Sequence, residues 1–170
     1  ANVGANYLAN DVFTNTTNGQ LTVTYTVIPV SAAGCSGDAK VIVITIDPEP
    51  VVSAALDATV CSDTNIGLVL NTNGVSTTAA FYDITAQVID ASLTPPGSNV
   101  AVPAAGVGLN YMSPDSFTNT GTTPLNVTYT VVPISADGCV GDPRVITITI
   151  NPEPVVANGL DLTQCSDVAI

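Results

Sequence analysis

The chain has no histidine and no tryptophan, and its 170 residues include only two basic side chains against fourteen carboxylates. Without imidazole, the commonest general base of enzymes and a frequent metal ligand is missing. Two cations cannot neutralise the phosphates that a nucleic-acid-binding surface must contact, so nucleic acid is excluded as a partner. An anionic membrane surface would repel a chain whose formal net charge is −12.

Long apolar stretches are missing as well. The segment VIVITI at 41–46 is among the longest, and a membrane-spanning helix needs roughly 20 such residues. No basic segment precedes an apolar one as in a targeting signal, so we expect this chain to be an interior part of a longer protein. Hydrophobic residues make up 46% of the chain and charged residues 9%, which is the opposite of a disordered composition. Four cysteines beside a single lysine suit an oxidising, extracellular environment.

The sequence repeats itself with a period of 104 residues. Residues 1–66 align without a gap with residues 105–170, and 40 of the 66 pairs are identical. For example, VTYTVIPVSAAGC at 23–35 returns as VTYTVVPISADGC at 127–139. A period near 100 residues exceeds the roughly 20–45 residues of a solenoid unit. It fits a string of domains, each with its own core.

Strand patterns dominate both copies. In 21–29, apolar residues alternate with threonines, and this period of two puts one face inward and the other in water. In 41–46 the three isoleucines share a face, which the second copy keeps at Ile146, Ile148 and Ile150. The isoleucine face is therefore the predicted core face. A glycine-containing turn at 31–38 joins the two strands and predicts a hairpin.

Further strands are predicted at 66–72, 79–90 and 109–112, with a proline-containing loop at 92–104. About seven short strands in roughly 100 residues is the strand count of an immunoglobulin-like β-sandwich. The sequence therefore predicts an all-β chain of tandem immunoglobulin-like β-sandwich domains.

Each copy ends on a proline pair. Pro48 and Pro50 flank Glu49, and the same Pro-Glu-Pro segment returns with Pro152 and Pro154. Proline fixes its own φ and restricts the residue before it, so each segment is predicted to be a short, semi-rigid spacer. Boundaries placed there give the C-terminal part of one β-sandwich at 1–49, a complete one at 50–152 and the start of the next at 153–170.

The cysteines recur with the repeat. Cys35 and Cys139 lie in the hairpin before the last strand, and Cys61 and Cys165 follow the linkers. Metal binding is not favoured without a C-x-x-C motif or histidine, and no base is at hand to activate a thiol. In an immunoglobulin-like topology we expect the last hairpin and the first strand to lie at the same end of the domain. The favoured prediction is therefore a Cys61–Cys139 disulfide within one domain, with Cys35 and Cys165 paired outside this chain. The alternative joins Cys35 to Cys61 and Cys139 to Cys165.

The carboxylates near the first linker are candidate calcium ligands, because calcium prefers clustered oxygen atoms. The best placed are Glu49, Asp57 and Asp63, although no DxDxDG-like loop is present. The alternative is an acidic, solvated surface that keeps a long array from self-associating. Both glutamates lie in proline linkers, a poor scaffold for paired catalytic carboxylates. We therefore predict no catalytic residue and no cofactor other than calcium.

Three pieces of sequence carry a family resemblance: VTYTVxPxSAxGC, the strand VIVITIDP or VITITINP, and the segment TVCSD or TQCSD. They resemble the PKD-like, immunoglobulin-like repeats of large bacterial surface adhesins. More narrowly, they resemble the gliding-motility adhesins of SprB type, which the type IX system of Bacteroidetes-type gliding bacteria exports. The resemblance covers essentially the whole chain. It implies a surface filament that grips a substratum, with neighbouring repeats, surface polysaccharide and the gliding and secretion machinery as partners.

These observations predict a structural and adhesive region of an extended cell-surface filament, with no enzymatic activity. Two alternatives stay open. A polysaccharide-binding β-sandwich module would be favoured by an aromatic-lined groove. Accessory repeats of a secreted hydrolase would be favoured by a neighbouring catalytic domain.

Overall fold

A computed structural model describes residues 3–4, 6–159 and 163–166. The described part of the chain contains strands and one short 3₁₀ turn at Ala54–Leu56, which confirms the predicted all-β class. The strands are β1 Leu21–Val27, β2 Lys40–Ile46, β3 Ala58–Cys61, β4 Ala79–Ile89, β5 Ala104–Val107, β6 Leu125–Ser135 and β7 Arg144–Asn151.

The first two strands form the predicted hairpin. β1 and β2 pair antiparallel, with Tyr25 opposite Ile42 and Val23 opposite Ile44. The alternation of threonine with apolar residues on β1 suits a strand with one wet face. Residues 6–49, which contain this two-stranded sheet, are called the N-terminal unit below.

Residues 50–152, called the central unit, contain a five-stranded sheet in the order β3-β7-β6-β4-β5. Its β6–β7 pair repeats the register of β1–β2, because Tyr129 stands opposite Ile146 as Tyr25 stands opposite Ile42. β3 runs parallel to β7, with Cys61 beside Asn151. The central unit thus adds β3 on one side and β4 on the other side of the pair that both units share.

The isoleucine face of β7 is the core of the central unit, as the sequence predicts. Ile146, Ile148 and Ile150 are completely buried, and so are the inward side chains of β6. Other core residues come from strands and loops around this face and include Ile84, Met112 and Phe117.

The matching face of the N-terminal unit is open. All six inward positions of β6 and β7 carry the same residues in β1 and β2, yet Ile42 is 41% exposed and Ile44 is 36% exposed. The difference has a simple cause: Leu56, Ile66 and Leu70 from the 50–104 segment share the core with this face in the central unit, and the described part of the N-terminal unit has no equivalent segment. The same sequence therefore forms the same hairpin with and without a covered core.

Three sequence predictions about strands need correction. Residues 109–112 form turns, and the strand lies earlier, at Ala104–Val107. Residues 66–72 form a loop, with a single bridge from Thr72 to Val52. That loop is fixed by backbone bonds to 109–115 and buries Ile66 and Leu70, so its apolar spacing reflects loop packing. The four-residue strand β3 was too short for its pattern to predict it.

Candidate functional site: the junction between the two units

The Pro-Glu-Pro segment after β2 is packed between the two units. Pro48 and Pro50 are buried and Glu49 is half-buried. The equivalent Pro152 is only half-buried and Pro154 is exposed. The first linker therefore loses its solvent contact because the central unit packs against it.

Backbone hydrogen bonds fasten this linker on both sides. Glu49 N–H donates to Asn15 O in the N-terminal unit over 2.8 Å. Val51 N–H donates to Ser76 Oγ in the central unit over 2.9 Å, and Pro50 forms a parallel bridge with Thr77. A direct bond crosses the junction, since Thr77 N–H donates to Thr17 O over 3.1 Å. The linker is consequently a clamped extended segment, which is stiffer than the semi-rigid spacer predicted from its prolines.

A glycine in the β6–β7 hairpin makes the close packing possible. A Cβ atom added to Gly141 would lie 1.9 Å from Pro50 O and 3.1 Å from Pro50 C, well inside van der Waals contact. Gly141 is not among the glycines with positive φ, so its backbone conformation is open to other residues. The requirement for glycine here comes mainly from the linker carbonyl, with a tighter-than-usual contact to the Pro133 ring beside it.

Two buried asparagines hold the strand ends next to the linkers. The Asn15 side-chain amide donates to Ile46 O over 2.9 Å and to Gly19 O over 2.8 Å. Asn119 makes the same bonds in the central unit, to Ile150 O over 2.9 Å and to Thr123 O over 3.0 Å. These asparagine amides give donors to one carbonyl at the end of β2 or β7 and to one carbonyl of the loop before β1 or β6. Sequence reasoning missed them, although their identity at positions 104 residues apart was visible.

A tyrosine–aspartate pair also recurs in both units. Tyr25 Oη donates to Asp11 Oδ2 over 2.6 Å, and Tyr129 Oη donates to Asp115 Oδ2 over the same distance. Tyr129 and Asp115 are completely buried, and Asp115 Oδ1 also accepts from Val100 N–H over 2.7 Å. Burial raises the pKa of Asp115, and its bonds from Tyr129 and Val100 partly oppose that shift. The pair ties the 112–118 loop to the core strand β6.

The buried tyrosine hydroxyl should matter far more than the exposed one. Tyr129→Phe leaves the buried Asp115 carboxylate short of a donor, which is expected to destabilise the central unit by about 1–3 kcal/mol. Urea unfolding followed by circular dichroism measures this change. The matched variant Tyr25→Phe, whose hydroxyl bond is exposed to water, is expected to leave the curve unchanged. Equal effects in the two variants would contradict the assignment.

The three candidate calcium ligands lie in different settings. Glu49 faces the junction, where burial and then the charge of Asp142 raise its pKa. Asp57 accepts from Thr147 N–H over 2.9 Å and lies 3.7 Å from the Arg144 guanidinium. Among the described residues, no group of three or more acidic, cysteine or histidine side chains is placed to hold a metal ion.

The third candidate, Asp63, lies at the far end of the central unit and has a left-handed φ of 61°. Thr118 Oγ1 donates to Asp63 Oδ1 over 2.5 Å, and this bond is the main reason that the pKa of Asp63 is lowered. A hydrogen bond with Asp63 raises the pKa of Glu153, the residue equivalent to Glu49. Each linker glutamate is thus influenced by another carboxylate. For Glu153 this is Asp63 of the same unit, and for Glu49 it is Asp142 of the following unit.

All four cysteines are free thiols in the structure. The favoured Cys61–Cys139 pairing does not fit the strand arrangement, because Cys61 lies beside Asn151 at the end of β7 and Cys139 precedes the start of β7. Eight residues of strand separate these ends by roughly 25 Å, far beyond disulfide reach. The expectation that the hairpin and the first strand meet at one end fails, because β3 runs parallel to β7 towards its far end.

The alternative Cys35–Cys61 pairing meets the same obstacle. Cys35 precedes β2, so it lies at the end of the N-terminal unit remote from Pro48. Cys61 lies at the end of the central unit remote from Pro50. The length of both units therefore separates Cys35 from Cys61. For Cys139 and Cys165 the structure describes both thiols as free.

A cavity of about 500 Å³ in the central unit lies between the 70–72 loop, the start of β4 and the 108–111 turn. It contains two tyrosines. Tyr82 is buried in the core, and Tyr111 Oη donates to Ala101 O over 2.8 Å. Both rings are engaged in packing or bonding within the unit, so the cavity differs from the open aromatic platform that typifies sugar-binding grooves.

Taken together, the paired strands, the repeated clamps and the packed linker define a class of protein: tandem all-β modules joined through structured junctions. The family model described as "PKD-like domain" matches residues 3–50 and 58–154. Because these matches cover most of the chain, it belongs to the PKD-like domain family, whose fold is an immunoglobulin-like β-sandwich. No match is found among curated proteins or among solved structures.

Membership of this family carries two general properties. PKD-like domains are typically extracellular, and they are generally non-catalytic structural or adhesive modules. Within the described ranges, no helix has the length and apolar character needed to cross a membrane.

Proposed function

We propose that this chain is part of the repetitive, extracellular region of a long cell-surface adhesin that serves gliding motility, and that its role is mechanical. The clamped Pro-Glu-Pro junction is the observation that carries the proposal. A protein that only displayed separate binding modules would need no buried linker, no cross-junction bond from Thr77 to Thr17 and no glycine at 141. Each of the three suits a protein that transmits force along a filament, because each fixes one unit against the next.

The N-terminal unit fits this role as one half of a further repeat. Residues 1–49 correspond to 105–153, and the six inward positions of the hairpin are identical to those of the central core. Their exposure is explained if a segment equivalent to 50–104 covers them in a longer array. By the same correspondence, residues 153–170 are the start of a third repeat.

The dimensions suit an extended stalk. β6 has eleven residues, so at roughly 3.3 Å per residue the sheet is about 36 Å long. The linker enters beside Gly141 at one end of this sheet and leaves after Asn151 at the other. Successive repeats are therefore joined end to end, and each added repeat lengthens the filament.

The excess of carboxylates agrees with this arrangement. With a formal net charge of −12, neighbouring filaments repel one another and stay dispersed at the cell surface. On the outward face of the β1–β2 hairpin, the exposed Val43 stands opposite Thr24. The adhesive partner in this proposal is a substratum or surface polysaccharide contacted by the filament as a whole.

Live-cell labelling tests the function directly. Fluorescent Fab fragments raised against this chain are added to intact, motile cells of the source bacterium. We expect label on unpermeabilised cells, movement of the label along the cell and weaker attachment to glass at saturating Fab. Label that appears only after permeabilisation, or that stays immobile on gliding cells, would overturn the proposal.

A further inference from the structure

The two cysteines of each repeat lie at opposite ends of the unit. In the central unit, Cys139 belongs to the hairpin at the end where Pro50 enters, called the proximal end. Cys61 lies beside Asn151 at the end where Pro152 leaves, called the distal end. A disulfide within the unit is ruled out by the length of β7, so any structural bond between these positions must join different repeats.

The linker shows which repeats come together. At the distal end of the central unit, Ser62 N–H, next to Cys61, donates to Asn151 O over 2.9 Å, directly before Pro152. At the junction, Pro50 at the end of the first linker packs against Gly141, two residues after Cys139. One linker therefore begins beside the Cys61 segment of its own repeat and ends against the Cys139 hairpin of the repeat that follows.

Gly37 indicates that the same contact recurs at the preceding junction. It is equivalent to Gly141, and like Gly141 its φ is not positive. A Cβ at Gly37 would meet Pro29 alone, with its Cγ at 3.0 Å, so the severe contact that Pro50 makes at Gly141 has no described counterpart in the N-terminal unit. A linker packed over Gly37, as Pro50 packs over Gly141, supplies that counterpart.

We propose that disulfides in the array cross the junctions and join the Cys61-type thiol of one repeat to the Cys139-type thiol of the next. This inference rests on the proposed tandem array. Both positions are accessible, since Cys61 is exposed and Cys139 is half-buried. A disulfide across the junction would be a second covalent connection beside the Pro-Glu-Pro segment. A force that pulls on the filament would then be shared by the linker and the disulfide.

The chemistry needs an oxidant of the disulfide class. Two thiols lose two protons and two electrons as the S–S bond forms, and oxidised glutathione accepts them to become two molecules of reduced glutathione. Exchange proceeds through a mixed disulfide on one cysteine, which the second thiolate then attacks. An extracellular setting allows such a bond to persist.

The 170-residue chain itself provides the first arm of the test. The variant Cys165→Ser removes the thiol of the trailing segment. This chain is incubated at low concentration with oxidised glutathione. Small-molecule disulfides are then removed under non-reducing conditions, the protein is denatured and its remaining thiols are counted. Because no junction in this chain has both thiol types, we expect no protein disulfide between Cys35, Cys61 and Cys139. A mapped bond between Cys61 and Cys139 of one molecule overturns the proposal.

The second arm adds one complete junction. A copy of residues 50–104 fused ahead of residue 1, again with Cys165→Ser, places an added Cys61 at the distal end of the completed first repeat. We expect peptide mapping to find one disulfide between the added Cys61 and Cys139, with two of four thiols lost. Cys139→Ser should abolish that bond, and the matched Cys35→Ser should leave it intact.

The same extended chain distinguishes failure of the junction disulfide from failure of the proposed tandem array. If the added segment protects β1 and β2 from hydrogen exchange but the added Cys61 and Cys139 stay unpaired, the junction disulfide is overturned and the tandem array stands. If β1 and β2 gain no protection, the tandem arrangement itself fails.

Discussion

Replacing Ile148 with alanine is expected to destabilise the central unit by about 2–5 kcal/mol. Ile148 is completely buried between its β7 neighbours Ile146 and Ile150, so the substitution removes apolar contacts and leaves a cavity. Urea denaturation of the purified chain, followed by circular dichroism, gives the change in unfolding free energy.

The repeat provides the matched control for this substitution. Ile44 is the equivalent residue on β2, with the same isoleucines two residues to either side, but it is 36% exposed. Ile44→Ala is therefore expected to cost less than about 1 kcal/mol, since much of the removed surface already contacts water. A cost for Ile44→Ala as large as that for Ile148→Ala would show that the N-terminal hairpin has a cover that the structure does not describe.

Replacing Gly141 with alanine is expected to loosen the junction. The new methyl group would lie 1.9 Å from Pro50 O, so either the linker or the hairpin must move. We expect a stability cost of about 1–3 kcal/mol from this overpacking. We also expect a broader distribution of distances between the two units, measured by spin-label pairs on β1 and β4. An unchanged distance distribution would contradict the clamped junction.

Gly37→Ala is the control that isolates the linker contact. The Cβ of either variant lies 3.0 Å from the Cγ of a hairpin proline, Pro29 for Gly37 and Pro133 for Gly141. Only at Gly141 does it also meet Pro50. Strain within the hairpin is therefore common to both variants. The difference between their stability costs measures the contact with the linker alone.

The core hairpin could be predicted from sequence because its signal is local. Alternation on β1 and the isoleucine face of β2 depend on the two-residue period of a strand, and a glycine-containing turn joins them. The second copy gives the same evidence again, because Ile146, Ile148 and Ile150 repeat the isoleucine face. On the other face of the strand, Val43 corresponds to Thr147.

The junction could not be predicted in the same way because its contacts join distant segments. Nothing in the local pattern around Gly141 shows that the Pro50 carbonyl packs over it, 91 residues away in sequence. Proline chemistry indicated a stiff spacer, but the packing of Pro50 against Thr77 and the bond from Thr77 to Thr17 depend on how the two units meet.

The cysteine pairing was mispredicted because it depended on strand direction. In the sequence argument, the last hairpin and the first strand shared one end of the domain, which would place Cys61 near Cys139. In the structure β3 pairs with the second half of β7 in parallel, and Cys61 reaches the distal end. Strand direction follows from tertiary packing, which a four-residue segment such as ATVC does not encode on its own.

Hydrogen–deuterium exchange in the extended chain tests the central claim most directly, namely that residues 1–49 are half of a repeat with the fold of the central unit. With residues 50–104 fused ahead of residue 1, the outward amides of β1 and β2 should gain strand partners, as those of β6 and β7 have in β4 and β3. We predict that peptides covering 21–27 and 40–46 exchange at least tenfold more slowly than in the 170-residue chain. Equal exchange in the two chains would contradict the account.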